Sequence, residues 1–300
     1  MKINQLSDLF AELKNKPCKR LVVVNGIDDH TIEAVSKAVD LGIVEGILTG
    51  DPASIEKTCR QLNIDIGKFI IEPAENENTA ATKAAEMISM GKANLMMKGL
   101  LSTDKFMKVL LNKEFELLPP RGVLSHIAVM QYPNYNKLLI VSDVAIIPYP
   151  DLAQKIVMTG YLVQTAHALG IKTPKVALIA ATEQVLAGIP ACTDAAVISK
   201  MADRGQIAGA IVDGPLALDV AIDKESAAIK KVKSPVAGEA DCLLFPNIDA
   251  GNVFYKMSAR MCQSEQAAIV AGAKVPVVLS SRGDTMETKL YSIALAALLS

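Results

Sequence analysis

The chain has 300 residues, 51% apolar and 21% charged, with 31 Lys and Arg against 32 Asp and Glu and a formal net charge of -1. This composition excludes a disordered or fibrous chain and, at about 150 residues per domain, sets an expectation of two domains. It also argues against a general nucleic-acid binder, whose affinity comes from clustered Lys and Arg on phosphates, so any anion site must be built from a few placed groups. No apolar run approaches the ~18 to 20 residues that cross a bilayer. The opening segment MKINQLSDLFAELKNK carries charges where an export signal needs an unbroken apolar stretch, which predicts a cytoplasmic location without a membrane partner. Cys18, Cys59, Cys192, Cys242 and Cys262 are odd in number and never spaced as CxxC, and His30, His126 and His167 lack metal-ligand spacing. That pattern suits free thiols and no metal site.

In chain order, short β-branched runs alternate with amphipathic stretches. LVVVNG (21–26) is followed by a helix from Asp28 through Ala38 that ends near Gly42. IVEGILTG (43–50), a helix from Ala53, KFIIEP (68–73), a helix from about Asn78 to Gly91, and ANLMMKG (93–99) complete the first series. After the turn-rich YPNYNK (132–137) come LLIVSD (138–143), a helix from Asp151 to Ala168, PKVALIAAT (174–182) and a helix from about Asp194 to Arg204. AGAIVDGP (208–215), DCLLFP (241–246), a helix around Val253–Met261 and KVPVVLSS (274–281) follow. Apolar runs of this length, bounded by Gly and Pro and separated by helix-length segments, predict an α/β protein with parallel strands and crossover helices. In the closing helix Leu290, Ile293, Ala294, Ala297 and Leu298 form an apolar stripe, and Asp284 with Glu287 has capping-box spacing.

Open α/β sheets bind ligands at the carboxyl ends of their strands, where Gly allows close backbone approach and a following helix presents a partly positive N-terminus. Five such ends stand out: Lys98-Gly99, Ser142-Asp143, Asp213-Gly214-Pro215, the run from Asn247 through Gly251 to Asn252, and Ser280 through Asp284. Phosphate is the ligand such geometry suits. In SSRGDTMETK (280–289) two hydroxyls and a guanidinium precede a Gly and a helix start, so Arg282 could grip a phosphate bidentately or pair with a neighbouring acid. Glu287 fits either a cap or a catalytic carboxylate, and Lys98 either a solvated strand end or a ligand contact. Arg121 sits in a Pro-rich loop before Gly122, with Ser125 and His126 beyond it; His126 reads as a packed residue. The nucleotide fingerprints GxGxxG and GxxxxGK[ST] are absent.

Three segments, IVDGPLALDVAI (211–222), ADCLLFPNIDAGNVFYK (240–256) and VPVVLSSRGDTMETKLYSIALA (275–296), give the sequence a resemblance to the phosphate acetyl/butyryltransferase family, closest to its phosphate butyryltransferase branch. The resemblance implies reversible transfer of a short-chain acyl group, butyryl or related, between coenzyme A and inorganic phosphate, with phosphate acetyltransferase activity on acetyl-CoA as the alternative. It implies CoA as substrate with no tightly bound cofactor, a homodimer or larger homo-oligomer, and an acyl-phosphate-using kinase as metabolic partner. It further implies two α/β/α domains around a cleft, similar to the isocitrate/isopropylmalate dehydrogenase-like fold, with the first domain at 1–137 plus 281–300 and the second at 138–280. In that scheme Ser281 donates to the reacting acyl oxygen and Arg282 holds phosphate, while Lys98, Gly99 and Arg121 contact phosphate or CoA. Ser125, Asp213, Asn247, Gly251 and Asn252 complete the substrate-binding set. The acid of the acetyl branch falls on Thr288, which leaves Asp284 or Glu287 as the base.

Two other readings compete. A decarboxylating dehydrogenase would need carboxylates for a divalent metal, for which Asp213, Asp219 and Asp223 are the nearest in sequence. A non-catalytic CoA-binding regulatory protein would keep the fold without turnover.

Overall fold

The computed structural model describes residues 2–280 and 283–300; Ser281 and Arg282 lie outside the described residues. The chain divides into two compact units, a terminal unit of Leu6–Leu124 with Gln266–Ser300 and a central unit of Ser125–Glu265 with Met1–Gln5. The turn-rich segment at 132–137 lies inside the central unit and joins two of its strands.

The terminal unit opens with α1 (Asp8–Leu13), β1 (Lys19–Val24), α2 (Asp29–Asp40), β2 (Val44–Gly50) and α3 (Pro52–Leu62). It continues with β3 (Phe69–Pro73), α4 (Glu77–Ser89), β4 (Leu95–Lys98) and α5 (Thr103–Leu110). The helix starts follow from local chemistry: Asp28, Asp51 and Asn76 each cap a helix through a side-chain oxygen, and Pro52 occupies the first turn of α3, where its missing N–H costs nothing.

The central unit runs β5 (Ser125–Gln131), β6 (Leu139–Ser142), α6 (Leu152–Ala168), β7 (Lys175–Ile179), α7 (Pro190–Asp203) and β8 (Ile211–Leu216). Then follow α8 (Leu218–Ile222), α9 (Lys224–Ile229), β9 (Cys242–Leu244) and α10 (Ile248–Met261). The chain re-enters the terminal unit through β10 (Glu265–Ala271), β11 (Val277–Val278) and α11 (Met286–Leu299).

In the terminal unit the strands lie in the order β3-β2-β1-β4-β11-β10, and in the central unit β5-β6-β9-β7-β8. β1 is parallel to β2 and β4, and β4 to β11, but β10 runs antiparallel to β11 and β5 antiparallel to β6. The all-parallel arrangement expected from the sequence is therefore corrected to a mixed one. The physical reason is loop length, since the short connections between β5 and β6 and between β10 and β11 leave no room for the crossover that parallel pairing requires. The fold is α/β with mixed strands, and nothing in it points to an isocitrate/isopropylmalate dehydrogenase-like architecture.

Val22, Val23, Met96, Met97, Val277 and Val278 are fully buried on β1, β4 and β11. α11 is buried on nearly every side: Leu295 and Ala296, outside the predicted stripe, are as inaccessible as Ile293, while Leu298 is half-exposed. Tyr291 stacks on Phe10 at 5.5 Å between centroids, which ties α11 to α1. Among the described residues, no helix is long and apolar enough to cross a membrane.

Because α11 is enclosed, Leu295→Ala should destabilise the protein by about 2 to 5 kcal/mol, as much as Ile293→Ala, with a smaller loss for Leu298→Ala. Urea denaturation of the three variants checks this ordering.

Candidate active site

Consecutive parallel strands β1, β4 and β11 end at one edge of the terminal unit. Val24 pairs with Lys98 and Val278 with Met97, so Asn25, Gly99 and Ser280 follow side by side. The backbone closes tightly there: Gly99 N–H donates to Val24 O at 2.9 Å and Leu100 N–H to Asn25 O at 2.9 Å. A Cβ on Gly99 would lie 2.5 Å from Asn25 O and 2.6 Å from Val24 O, so only glycine permits the approach. Asn25 adopts the left-handed region (φ 51) and donates Nδ2–H to Leu100 O at 2.6 Å.

Lys98 is buried at this edge, and its Nζ donates to Gly99 O at 3.3 Å and Leu101 O at 3.1 Å. Among the two sequence alternatives for Lys98, the solvated strand-end charge is excluded. Arg121 occupies the turn closed by Gly122 N–H to Pro119 O at 2.8 Å, with φ 60 and an exposed side chain.

At the start of α11 the N-cap is Thr285, whose Oγ1 accepts from Thr288 N–H at 3.2 Å. The capping box drawn from Asp284 and Glu287 is thereby corrected: Asp284 precedes the cap and Glu287 is the second helical residue. Thr285 takes the cap because its hydroxyl reaches the N3 amide that a box led by Asp284 would not serve. Glu287 is exposed and Asp284 half-buried. Ser281 and Arg282, the predicted catalytic pair, lie outside the described residues.

One residue escaped sequence reasoning. Lys289, on α11, is buried, and its Nζ donates to Ser280 Oγ at 2.9 Å. Burial pushes its pKa below the usual lysine value, against the raising influence of the Asp28 and Asp284 carboxylates. The signal was present in the sequence: Lys289 stands four residues before Ile293, inside the apolar stripe, where a solvated lysine does not belong.

The central unit gathers another group of predicted residues, around a buried carboxylate. Asp143 accepts from Ser125 Oγ–H at 3.0 Å, His126 N–H at 3.1 Å, Ala145 N–H at 2.7 Å and Ile146 N–H at 2.8 Å. Ser125 and Ser142 hydroxyls meet at 2.8 Å, and Asn252 Nδ2–H donates to Val144 O at 2.8 Å. Gly251 brings α10 against the same loop, since a Cβ there would lie 2.1 Å from Asp143 O, and Asn247 caps α10 by accepting from Ala250 N–H. His126 is buried with its ring edge-on to Tyr255 at 6.2 Å. Ser125, Gly251 and Asn252 are thus brought together around the loop after β6, and Asn247 caps the helix that packs on it.

Asp213 lies apart from that group and accepts from Gly214 N–H. Asp219 pairs with Lys230, and Asp223 caps α9 through Ser226 N–H. The three carboxylates weighed for a metal therefore have three separate local roles. The unit also carries an apolar groove of about 590 Å³ lined by Tyr132, Leu218, Phe254 and Met257, among others, but by none of the predicted site residues.

Residues 72–297 match the family described as phosphate acetyl/butaryl transferase. The chain belongs to this family. A phosphate butyryltransferase of Clostridium acetobutylicum is 43% identical over 296 residues, covering 99% of this chain and 98% of its own. A phosphate acetyltransferase of Thermotoga maritima is 39% identical over 96% of this chain and 97% of its own. Among solved structures, a branched-chain phosphotransacylase from Enterococcus faecalis V583 superposes with a TM-score of 0.82 at 27% identity, covering 94% of this chain and 98% of that one. This full-length match to a phosphotransacylase replaces the likeness to isocitrate and isopropylmalate dehydrogenases expected from the sequence.

Asp143→Ala strands four donors in the central unit and should cost about 3 kcal/mol or more; Gly251→Ala should be at least as damaging because backbone must shift. Chemical denaturation against wild type measures both.

Proposed function

We propose that the protein is a phosphate acyltransferase that moves a short-chain acyl group, butyryl or a related chain, reversibly between coenzyme A and inorganic phosphate. The observation that carries this reading is the strand-end edge of the terminal unit, where buried Lys98 and the Ser280 end of β11 meet the start of α11. The family membership and the named relatives support the same chemistry.

In the forward direction a phosphate oxygen attacks the thioester carbonyl carbon. A C–O bond forms, the carbonyl oxygen takes negative charge, and collapse of the tetrahedral intermediate breaks the C–S bond to release CoA as thiolate. The thiolate then takes a proton. Ser281 donates to the developing oxyanion and Arg282 binds phosphate bidentately, roles that suit preorganised donors in a site with little water. Lys98 adds positive charge from the floor of the edge, and Gly99 contributes by letting the end of β4 close against Val24 O and Asn25 O. Arg121, exposed on its turn, is suited to the phosphates of CoA. Ser125, Gly251 and Asn252 contribute by shaping the loop that Asp143 anchors and Asn247 by capping α10, while Asp213, on β8 and apart from them, is a separate candidate contact.

In reverse, the thiol of CoA, with a pKa near the ~8.5 of a free thiol, gains from a base. Asp284 is favoured over Glu287, because it is half-buried beside Lys289 whereas Glu287 faces solvent. The enzyme would act in the cytoplasm as a homodimer or larger assembly, with CoA as substrate, no tightly bound cofactor, and a kinase drawing on its acyl phosphate.

Thiol release from acetyl-, propionyl-, butyryl- and isobutyryl-CoA, with and without phosphate, tests the activity; no phosphate dependence with any of them would refute it. Asp284→Asn should slow the thiol-directed reaction by about 10²-fold, whereas Glu287→Gln should leave it within a factor of about three.

A further inference from the structure

We propose that Asn25 is a positioning residue for Lys98: it clamps the turn after β4 so that the two carbonyls holding the Lys98 ammonium face it. This role rests on the acyl-transfer reading above, which puts the Lys98 charge beneath the substrates.

The clamp has two points. Asn25 O accepts from Leu100 N–H at 2.9 Å, and Asn25 Nδ2–H donates to Leu100 O at 2.6 Å, so one residue takes both backbone polar groups of Leu100. The carbonyls on either side, Gly99 O at 3.3 Å and Leu101 O at 3.1 Å, are the acceptors of Lys98 Nζ. Gly99 C=O and Leu100 N–H belong to one trans peptide plane and point in opposite directions. Turning Leu100 N–H toward Asn25 therefore turns Gly99 O away from Asn25 and leaves it for Lys98. Leu101 N–H closes the same turn by donating to Gly99 O at 3.0 Å.

Asn25 is itself held from behind. Its N–H donates to Thr49 Oγ1 at 3.2 Å, and that buried hydroxyl lies 3.0 Å from Val23 O and 3.1 Å from Ala80 O. A hydrogen-bonded line thus runs from α4 through β2 and β1 to the turn after β4, and it ends on the ammonium. The left-handed backbone at φ 51 does not account for an asparagine, since glycine adopts it without steric cost. The amide does, because Leu100 O can only accept and needs a donor.

The role does not depend on the net charge of the edge. Asp28 and Asp284, on the segments that follow β1 and β11, set two carboxylates near Lys289 and offset the two ammonium groups. What matters is where the Lys98 charge is held.

The test compares wild type, Asn25→Gly, Lys98→Met and the double variant by phosphate-dependent thiol release, thermal denaturation, and brief acetic anhydride labelling of lysines read by mass spectrometry. Asn25→Gly keeps the left-handed turn and removes only the amide. It should label Lys98 about fivefold faster or more, with Lys289 labelled as in wild type, and lower kcat/KM for phosphate about tenfold. Lys98→Met should lower that ratio about 10²-fold. Adding Asn25→Gly to Lys98→Met should then cost no further activity while shifting Tm as it does alone, because the asparagine acts on turnover through Lys98. A merely structural asparagine would cost activity in both backgrounds. Unchanged Lys98 labelling, faster labelling with unaltered kcat/KM, undiminished activity in Lys98→Met, or the same loss from Asn25→Gly in both backgrounds would each overturn the proposal. Should Asn25→Gly fail to fold, Asn25→Asp, which tolerates the same backbone but has no N–H for Leu100 O, decides by the same labelling and rate criteria. A wild type without phosphate-dependent turnover would defeat the acyl-transfer reading, and the labelling would still decide whether Asn25 holds Lys98.

Discussion

Burial of ammonium groups at the carboxyl edge of β1, β4 and β11 is the constraint around which the terminal unit is arranged. A lysine side chain removed from water must be given oxygen atoms, and it finds them where parallel strands end and their last carbonyls have no partner in the ladder. Lys98 takes Gly99 O and Leu101 O, while Lys289 takes the hydroxyl of Ser280. The acceptors of Lys98 lie where the backbone closes tightly at this edge, which the absence of a Cβ at Gly99 permits. The buried cations also resolve what net charge conceals. A chain of charge -1 is a poor general anion binder, yet a few placed cations at one strand edge suit a phosphate without changing the total.

The central unit solves the converse problem with a buried carboxylate. Asp143 gathers two consecutive amides of its own loop, one amide from β5 and one hydroxyl, so that the chain leaving β6 has a defined course. α10 packs against this loop through Gly251 and Asn252. Residue types that suggest ligand contacts, Ser, Asn and Gly at strand ends, are here the same types that satisfy backbone groups in tight loops. Spacing alone does not separate the two uses, because both need short polar side chains and close approach.

Much of the fold was legible because β1, β2 and β3 are apolar runs with helix-capping Asp, Pro or Asn behind them, which is the pattern of a βα unit. The strands that escaped are β5, SHIAVMQ, and β10, EQAAIVA, which open on polar residues and pair antiparallel through short connections, so neither announces itself by a crossover helix. α10 begins at Ile248, ahead of the expected Val253, because Asn247 rather than a later residue caps it. At the site, the strand-end rule brought Lys98 and Gly99 into view, since it depends only on where apolar runs stop. Lys289 was missed because a lysine within an apolar helix stripe does not by itself say whether its ammonium reaches solvent or a buried acceptor, and only the fold brings Ser280 Oγ to it. The apparent capping box failed because two carboxylates at the right spacing compete with a threonine better placed to cap. Ser281 and Arg282 rest on sequence pattern and family membership.

The central claim is that phosphate, and not water, receives the acyl group at this site. Phosphorus NMR of the protein with butyryl-CoA and inorganic phosphate, followed together with thiol release, measures that directly. The account predicts an acyl-phosphate resonance growing in step with free thiol, one for one. Thiol release with the phosphate signal undiminished and only free carboxylate formed would contradict it.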